Sequence, residues 1–93
     1  MAPGAPTLLW PTPAKTGVPR TTPLEWQVSW NNAYYNVYLG TTNPPPFVGK
    51  VRYAFSYRPS VSLAANTRYF WRIVGVDLHG VERTSETRYF TTK

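Results

Sequence analysis

Six prolines within the first 23 residues, at positions 3, 6, 11, 13, 19 and 23, bar a helix from the opening quarter of the chain. Each lacks a backbone N–H and holds φ near about −65°, so no helical ladder passes through them. The apolar piece between them, Leu8-Leu9-Trp10, suits an edge strand, where nearby proline is tolerated. Beyond Pro23 the pattern turns to period two. Leu24, Trp26 and Val28 alternate with Glu25, Gln27 and Ser29, as a strand buried on one face requires.

The rest of the chain repeats that logic. Tyr34 to Leu39 is aromatic and β-branched and closes on Gly40. Pro44-Pro45-Pro46 forces an extended turn before a short strand at Phe47–Val51, and an alternation of Tyr53, Phe55 and Tyr57 stops at Pro59. The longest strand runs from Thr67 to Asp77, with Tyr69, Trp71, Ile73 and Gly75 on one face. Arg68, Phe70, Arg72, Val74 and Val76 occupy the other. His79-Gly80 turns the chain back into a last strand, Thr84 to Thr92, which carries Phe90. About seven short strands separated by turn signals, with no amphipathic helix, mean an all-β sandwich or small barrel.

A 93-residue chain buries only roughly 60–65% of the surface its unfolded form exposes, less than a larger domain does, so the core must be dense in large side chains. Four Trp, seven Tyr and four Phe meet that need. The absence of cysteine removes disulfides, thiolate nucleophiles and cysteine-ligated zinc together, and His79 is the single histidine. The acids are Glu25, Asp77, Glu82 and Glu86, three of them around the His79-Gly80 turn, where small polar residues serve turn chemistry. No nucleophile–base–acid order and no Gly-rich phosphate loop is present. The chain is therefore expected to be non-catalytic, with no catalytic residue, metal or cofactor. The net charge of +6 is spread over ten Lys and Arg without a basic run, which argues for a solvated surface over nucleic-acid binding. No stretch approaches a membrane-spanning length.

Leu63-Ala64-Ala65-Asn66-Thr67-Arg68-Tyr69 decides between sandwich and barrel. A leucine, a turn and a tyrosine opening a long strand have the spacing of a tyrosine corner, whose hydroxyl bonds to backbone a few residues upstream. Here the chain resembles a fibronectin type III domain of microbial type from about Thr7 to its end. Trp26 stands where the family has its core tryptophan, and Tyr35 to Gly40 matches the third strand. Tyr57 with Pro59-Ser60 is similar to the end of the fifth strand, Tyr69 to Asp77 to the sixth, and Phe90-Thr91-Thr92 to the seventh. Ala65, in place of the usual proline or glycine, and the loop indole of Trp30 depart from the pattern. The resemblance implies a seven-stranded antiparallel, immunoglobulin-like β-sandwich over residues 7–93, after a linker remnant at 1–6. It also implies a module of a larger extracellular or surface protein, serving as spacer or protein-interaction unit beside neighbouring domains and monomeric in isolation. Trp26, Tyr35, Tyr57, Tyr69, Trp71 and Phe90 are the expected core anchors.

Two surfaces are candidates for binding. Tyr38, Phe70, Arg72 and Tyr89 fall on adjacent strands of the face turned away from the core, as either cross-strand support or an interaction surface. Trp30, Asn31, Asn32 and Tyr34 combine ring faces with amides at one end of the sandwich. That is the chemistry of a sugar contact, which makes a carbohydrate-binding accessory module, with a polysaccharide as partner, the alternative function.

Overall fold

A computed structural model describes residues 5–27, 32–52, 54–60 and 62–93. These residues form strands, turns and no helix. The strands are β1 (Thr7–Trp10), β2 (Lys15–Val18), β3 (Leu24–Gln27), β4 (Tyr34–Gly40), β5 (Phe47–Val51), β6 (Ser56–Tyr57), β7 (Arg68–Val76), β8 (Glu82–Thr84) and β9 (Arg88–Thr92). They make two sheets. The smaller has the order β1-β3-β6, and the larger β2-β9-β7-β4-β5, with β8 also paired to β7.

The nine pieces reduce to the seven expected strands by two local interruptions. Pro11 and Pro13 cannot continue the pairing of β1 with β3. The chain crosses to the other sheet, with Ala14 (φ 60°) and Gly17 (φ 65°) in the left-handed region. It resumes as β2, parallel to β9. The sandwich is thus not wholly antiparallel, and β2 was not foreseen in the sequence. The second interruption divides the last strand. β8 pairs with residues 74–76 of β7, and β9 with residues 68–71 of the same edge. Between them the buried Ser85 hydroxyl accepts from Ile73 N (2.9 Å) and donates to Glu86 O (2.8 Å), while Ser85 N donates to Ile73 O (2.9 Å). A side chain here replaces backbone in the ladder.

The core lies between the sheets. Leu8, Leu24 and Trp26 come from the smaller sheet, and Val18, Tyr35, Val37, Leu39, Trp71, Ile73 and Phe90 from the larger, with Leu63 contributed by the loop before β7. Trp26, Trp71 and Phe90 are fully buried, and Tyr35 nearly so. The Trp26 ring sits 5.7 Å from that of Tyr35. Burying each such side chain contributes roughly 1.5–3 kcal/mol, which takes the place of an inter-sheet disulfide. Tyr57 and Tyr69 pack against this cluster from its margin and stay half-buried, because each aims its hydroxyl at backbone.

That margin holds the corner. Tyr69 Oη accepts from Ala64 N at 2.8 Å, and Asn66 takes φ 50° to turn the chain, a conformation asparagine tolerates. The Tyr69 ring stacks on Phe90 at 5.8 Å. Of the expected Tyr53–Tyr57 alternation, Tyr53 lies outside the described residues. β6 keeps two residues, and Phe55 is exposed.

The two ends of the chain leave the sandwich at opposite poles. Thr7 pairs with Gln27, at the far end of β3. Lys93 N donates to Val18 O and Asn66 N to Lys93 O, at the pole from which β3 and β7 start. The molecule measures 41 × 22 × 19 Å.

Candidate interaction surface

The register of β4, β7 and β9 brings Tyr38, Phe70, Arg72 and Tyr89 together on the outer face of the larger sheet. Tyr38 is directly opposite Arg72, and Phe70 directly opposite Tyr89. The Arg72 guanidinium lies over the Tyr38 ring at 4.6 Å. The Phe70 and Tyr89 rings meet at 5.9 Å, tilted by 55°. All four residues are half-buried.

The same face gathers further residues of the same kind. Arg68 lies over the Tyr89 ring at 4.3 Å, and Phe47 meets Tyr38 edge-on at 5.7 Å. At the other end of β4, Lys50 Nζ lies 4.4 Å and the Arg52 guanidinium 5.8 Å from the Tyr34 ring centre. Arg68 shares the parity of Phe70 and Arg72 along β7, a signal present in the sequence. The pairing of Lys50 and Arg52 with Tyr34 depends on the register of β5, which shifts between Val37 and Tyr38 and leaves no such signal. Val74 and Val76 lie on this face too, yet are buried. Their cross-strand neighbours Asn36, Thr84, Tyr34 and Glu82 flank them.

The face is cationic because three of the four acids lie elsewhere or are already engaged, and one, Glu82, shares the face with the cations. Among the described residues the ion pair is Arg88 Nε with Glu86 Oε2, at 2.7 Å. Asp77 Oδ1 accepts from His79 N (2.8 Å) and Val81 N (2.9 Å), closing the β7–β8 turn around Gly80 (φ 82°). The Val81 N–H above all, and then that of His79 with its imidazole, hold this carboxyl below the usual carboxylate range, against the opposing effect of desolvation. Glu25 belongs to the smaller sheet. Glu82, exposed on β8 opposite Val76, stands on this face outside any ion pair among the described residues. Among the described residues no group of three His, Cys, Asp or Glu side chains could hold a metal ion.

The loop candidates are placed differently. Trp30 and Asn31 lie outside the described residues. Asn32 fills the space above Gly75, where an added Cβ would stand 2.6–2.7 Å from its amide atoms. Gly75 pairs with the inward-facing Tyr35, so Asn32 closes the end of the core, whereas Tyr34 belongs to the outer face beneath Lys50 and Arg52. An apolar cleft of about 400 Å³ opens at the flank between β5 and β6, lined by Leu39, Val48, Tyr57, Pro59, Leu63 and Tyr69. Tyr57 Oη reaches Val48 O across it at 3.4 Å. Its ring lies so close to Gly49 that a Cβ there would stand 2.9 Å from the ring edge.

Comparison with known proteins bears on the fold. A scan against protein-family models and a search of curated protein sequences found no match. Among solved structures, a Fn3-like protein from Clostridium thermocellum superposes with a TM-score of 0.70 at 18% identity, over 100% of this chain and 93% of that one. The mutated FN3tt superposes with a TM-score of 0.66 at 20% identity, over 100% and 97%. The alpha-L-rhamnosidase of Streptomyces avermitilis, complexed with L-rhamnose, does so with a TM-score of 0.68 at 20% identity. That match takes in 98% of this chain and 10% of the enzyme. The fold is that of a fibronectin type III domain.

Proposed function

We propose that this chain is a non-catalytic module of a larger extracellular or surface protein, where it spaces its neighbours and offers the outer face of its larger sheet as an interaction surface. The observation that supports this most is the superposition of nearly the whole chain on a tenth of a large enzyme. A unit of this shape is thus compatible with life as part of a much longer chain. The opposed poles at which Thr7 and Lys93 leave the sandwich support the spacer role. A module traversed along its 41 Å axis holds its neighbours apart by that length. Its acids support the non-catalytic reading, since Asp77 is held by turn amides and Glu86 by Arg88.

Small-angle scattering on the chain with a folded partner protein fused at each end tests the spacer role. The expected maximum dimension exceeds that of the two partners joined directly by about the long axis of the sandwich. An unchanged dimension, with the partners lying side by side, rejects the role.

A further inference from the structure

We propose that the outer face of the larger sheet binds a linear anionic polysaccharide that carries one carboxylate on every second sugar. The proposal rests on reading this face as an interaction surface and names its ligand class.

The face carries three cation–tyrosine units: Arg68 on Tyr89, Arg72 on Tyr38, and Lys50 with Arg52 on Tyr34. The first bridges β7 and β9, the second β7 and β4, the third β4 and β5. Each step therefore moves one strand across and about three residues along, so the units form a straight diagonal row. With a rise of ~3.4 Å per residue and ~4.8 Å between strands, successive units lie roughly 11–12 Å apart, the length of a disaccharide. Stacking on tyrosine holds each cation in place. None of these cations takes part in an ion pair among the described residues.

Charge complementarity alone admits any polyanion; the spacing selects among them. Duplex DNA presents one charge per ~1.7 Å of axis, far denser than this row. The tyrosine faces on which bases would stack are occupied by the cations. A protein partner needs no even spacing and no straight row. A sugar chain with one carboxylate per disaccharide supplies both. It also brings hydroxyls, and the middle of the row has use for them. Arg72 Nε, a donor, and Asn36 Oδ1, an acceptor, are both buried without a hydrogen-bond partner. They are diagonal neighbours across β4 and β7, and a hydroxyl both donates and accepts.

Hyaluronate oligosaccharides of defined length, titrated into the whole chain and followed by amide chemical shifts, test the proposal. The expected result is shifts centred on Arg68, Arg72 and Lys50, with the hexasaccharide, which spans all three units, binding several-fold tighter than the tetrasaccharide. Arg72→Gln, which still unfolds in one cooperative thermal transition, lowers affinity on the order of tenfold by removing a charge-assisted contact. Arg58→Gln, at an exposed position in the loop after β6, serves as the charge-matched control and leaves affinity unchanged. Equal affinity for the two lengths, or equal loss in both variants, overturns the row. Tighter binding of poly-glutamate or single-stranded DNA at the same face overturns the polysaccharide and keeps the interaction surface. Silence of the face toward all three polymers overturns the proposal, and leaves the spacer role and a surface for a protein partner standing.

Discussion

Removing one oxygen, in Tyr69→Phe, isolates the contribution of the corner. The ring stays stacked on Phe90, 5.8 Å away, so apolar burial is nearly unchanged. What is lost is the 2.8 Å bond from Ala64 N to the hydroxyl. Ala64 is exposed, so water can solvate its N–H once the partner is gone. The loss then falls within the net value of an intramolecular hydrogen bond, about 0.5–1.5 kcal/mol, rather than the larger cost of an unmet buried donor. In a domain of this size 1 kcal/mol moves the thermal midpoint by roughly 4–8 °C, so a decrease of about 2–12 °C is expected. Urea denaturation gives the same quantity as a lower midpoint at unchanged slope. Tyr69→Ala, which also removes the stacked ring, costs at least about 2 kcal/mol more. An unchanged midpoint for Tyr69→Phe, or a loss equal to that of Tyr69→Ala, refutes the assignment of a latch to the hydroxyl.

Two further perturbations probe the pole where Asp77 and Asn32 lie. Because the Asp77 carboxyl titrates below its usual range in the folded state, its contribution is full above the unfolded value of about 3.9 and fades as pH falls through the lowered one. The midpoint difference between the natural chain and Asp77→Ala therefore shrinks on acidification from about pH 7 to about pH 2.5. A difference that is constant across that range contradicts the turn-amide explanation. Gly75→Ala drives a Cβ to within 2.7 Å of the Asn32 amide and is expected to cost about 1–3 kcal/mol by overpacking. Stability equal to that of the natural chain shows that Asn32 does not close the core end.

The parts of the fold written in local patterns were legible before any coordinates. Period-two alternation places Trp26, Trp71 and Phe90 inside, and parity along β7 places Phe70 and Arg72 outside, because a strand has just two faces. Tyr69 was legible because the corner is a short-range device, completed within a few residues of the turn at Asn66. Three features were not legible. β2 buries only Val18 and lies among prolines and glycine, so it lacks alternation, and its pairing is set by a distant strand. The break at Ser85 comes from a hydroxyl entering the ladder of another strand. The third cation–tyrosine unit exists because a bulge resets the β4–β5 register, and long-range register leaves no local trace. The charge of +6 looked diffuse for the same reason: Lys50, Arg52, Arg68 and Arg72 form a row only once three strands are aligned.

The separation of the chain ends tests the central claim most directly, that of a spacer traversed from pole to pole. The natural chain has no cysteine, so Ala5→Cys and Lys93→Cys provide two unique spin-label sites for pulsed electron paramagnetic resonance. One narrow distance distribution set by the 41 Å long axis is expected. A distribution centred near the 19–22 Å short dimensions places both ends at one pole and contradicts the spacer.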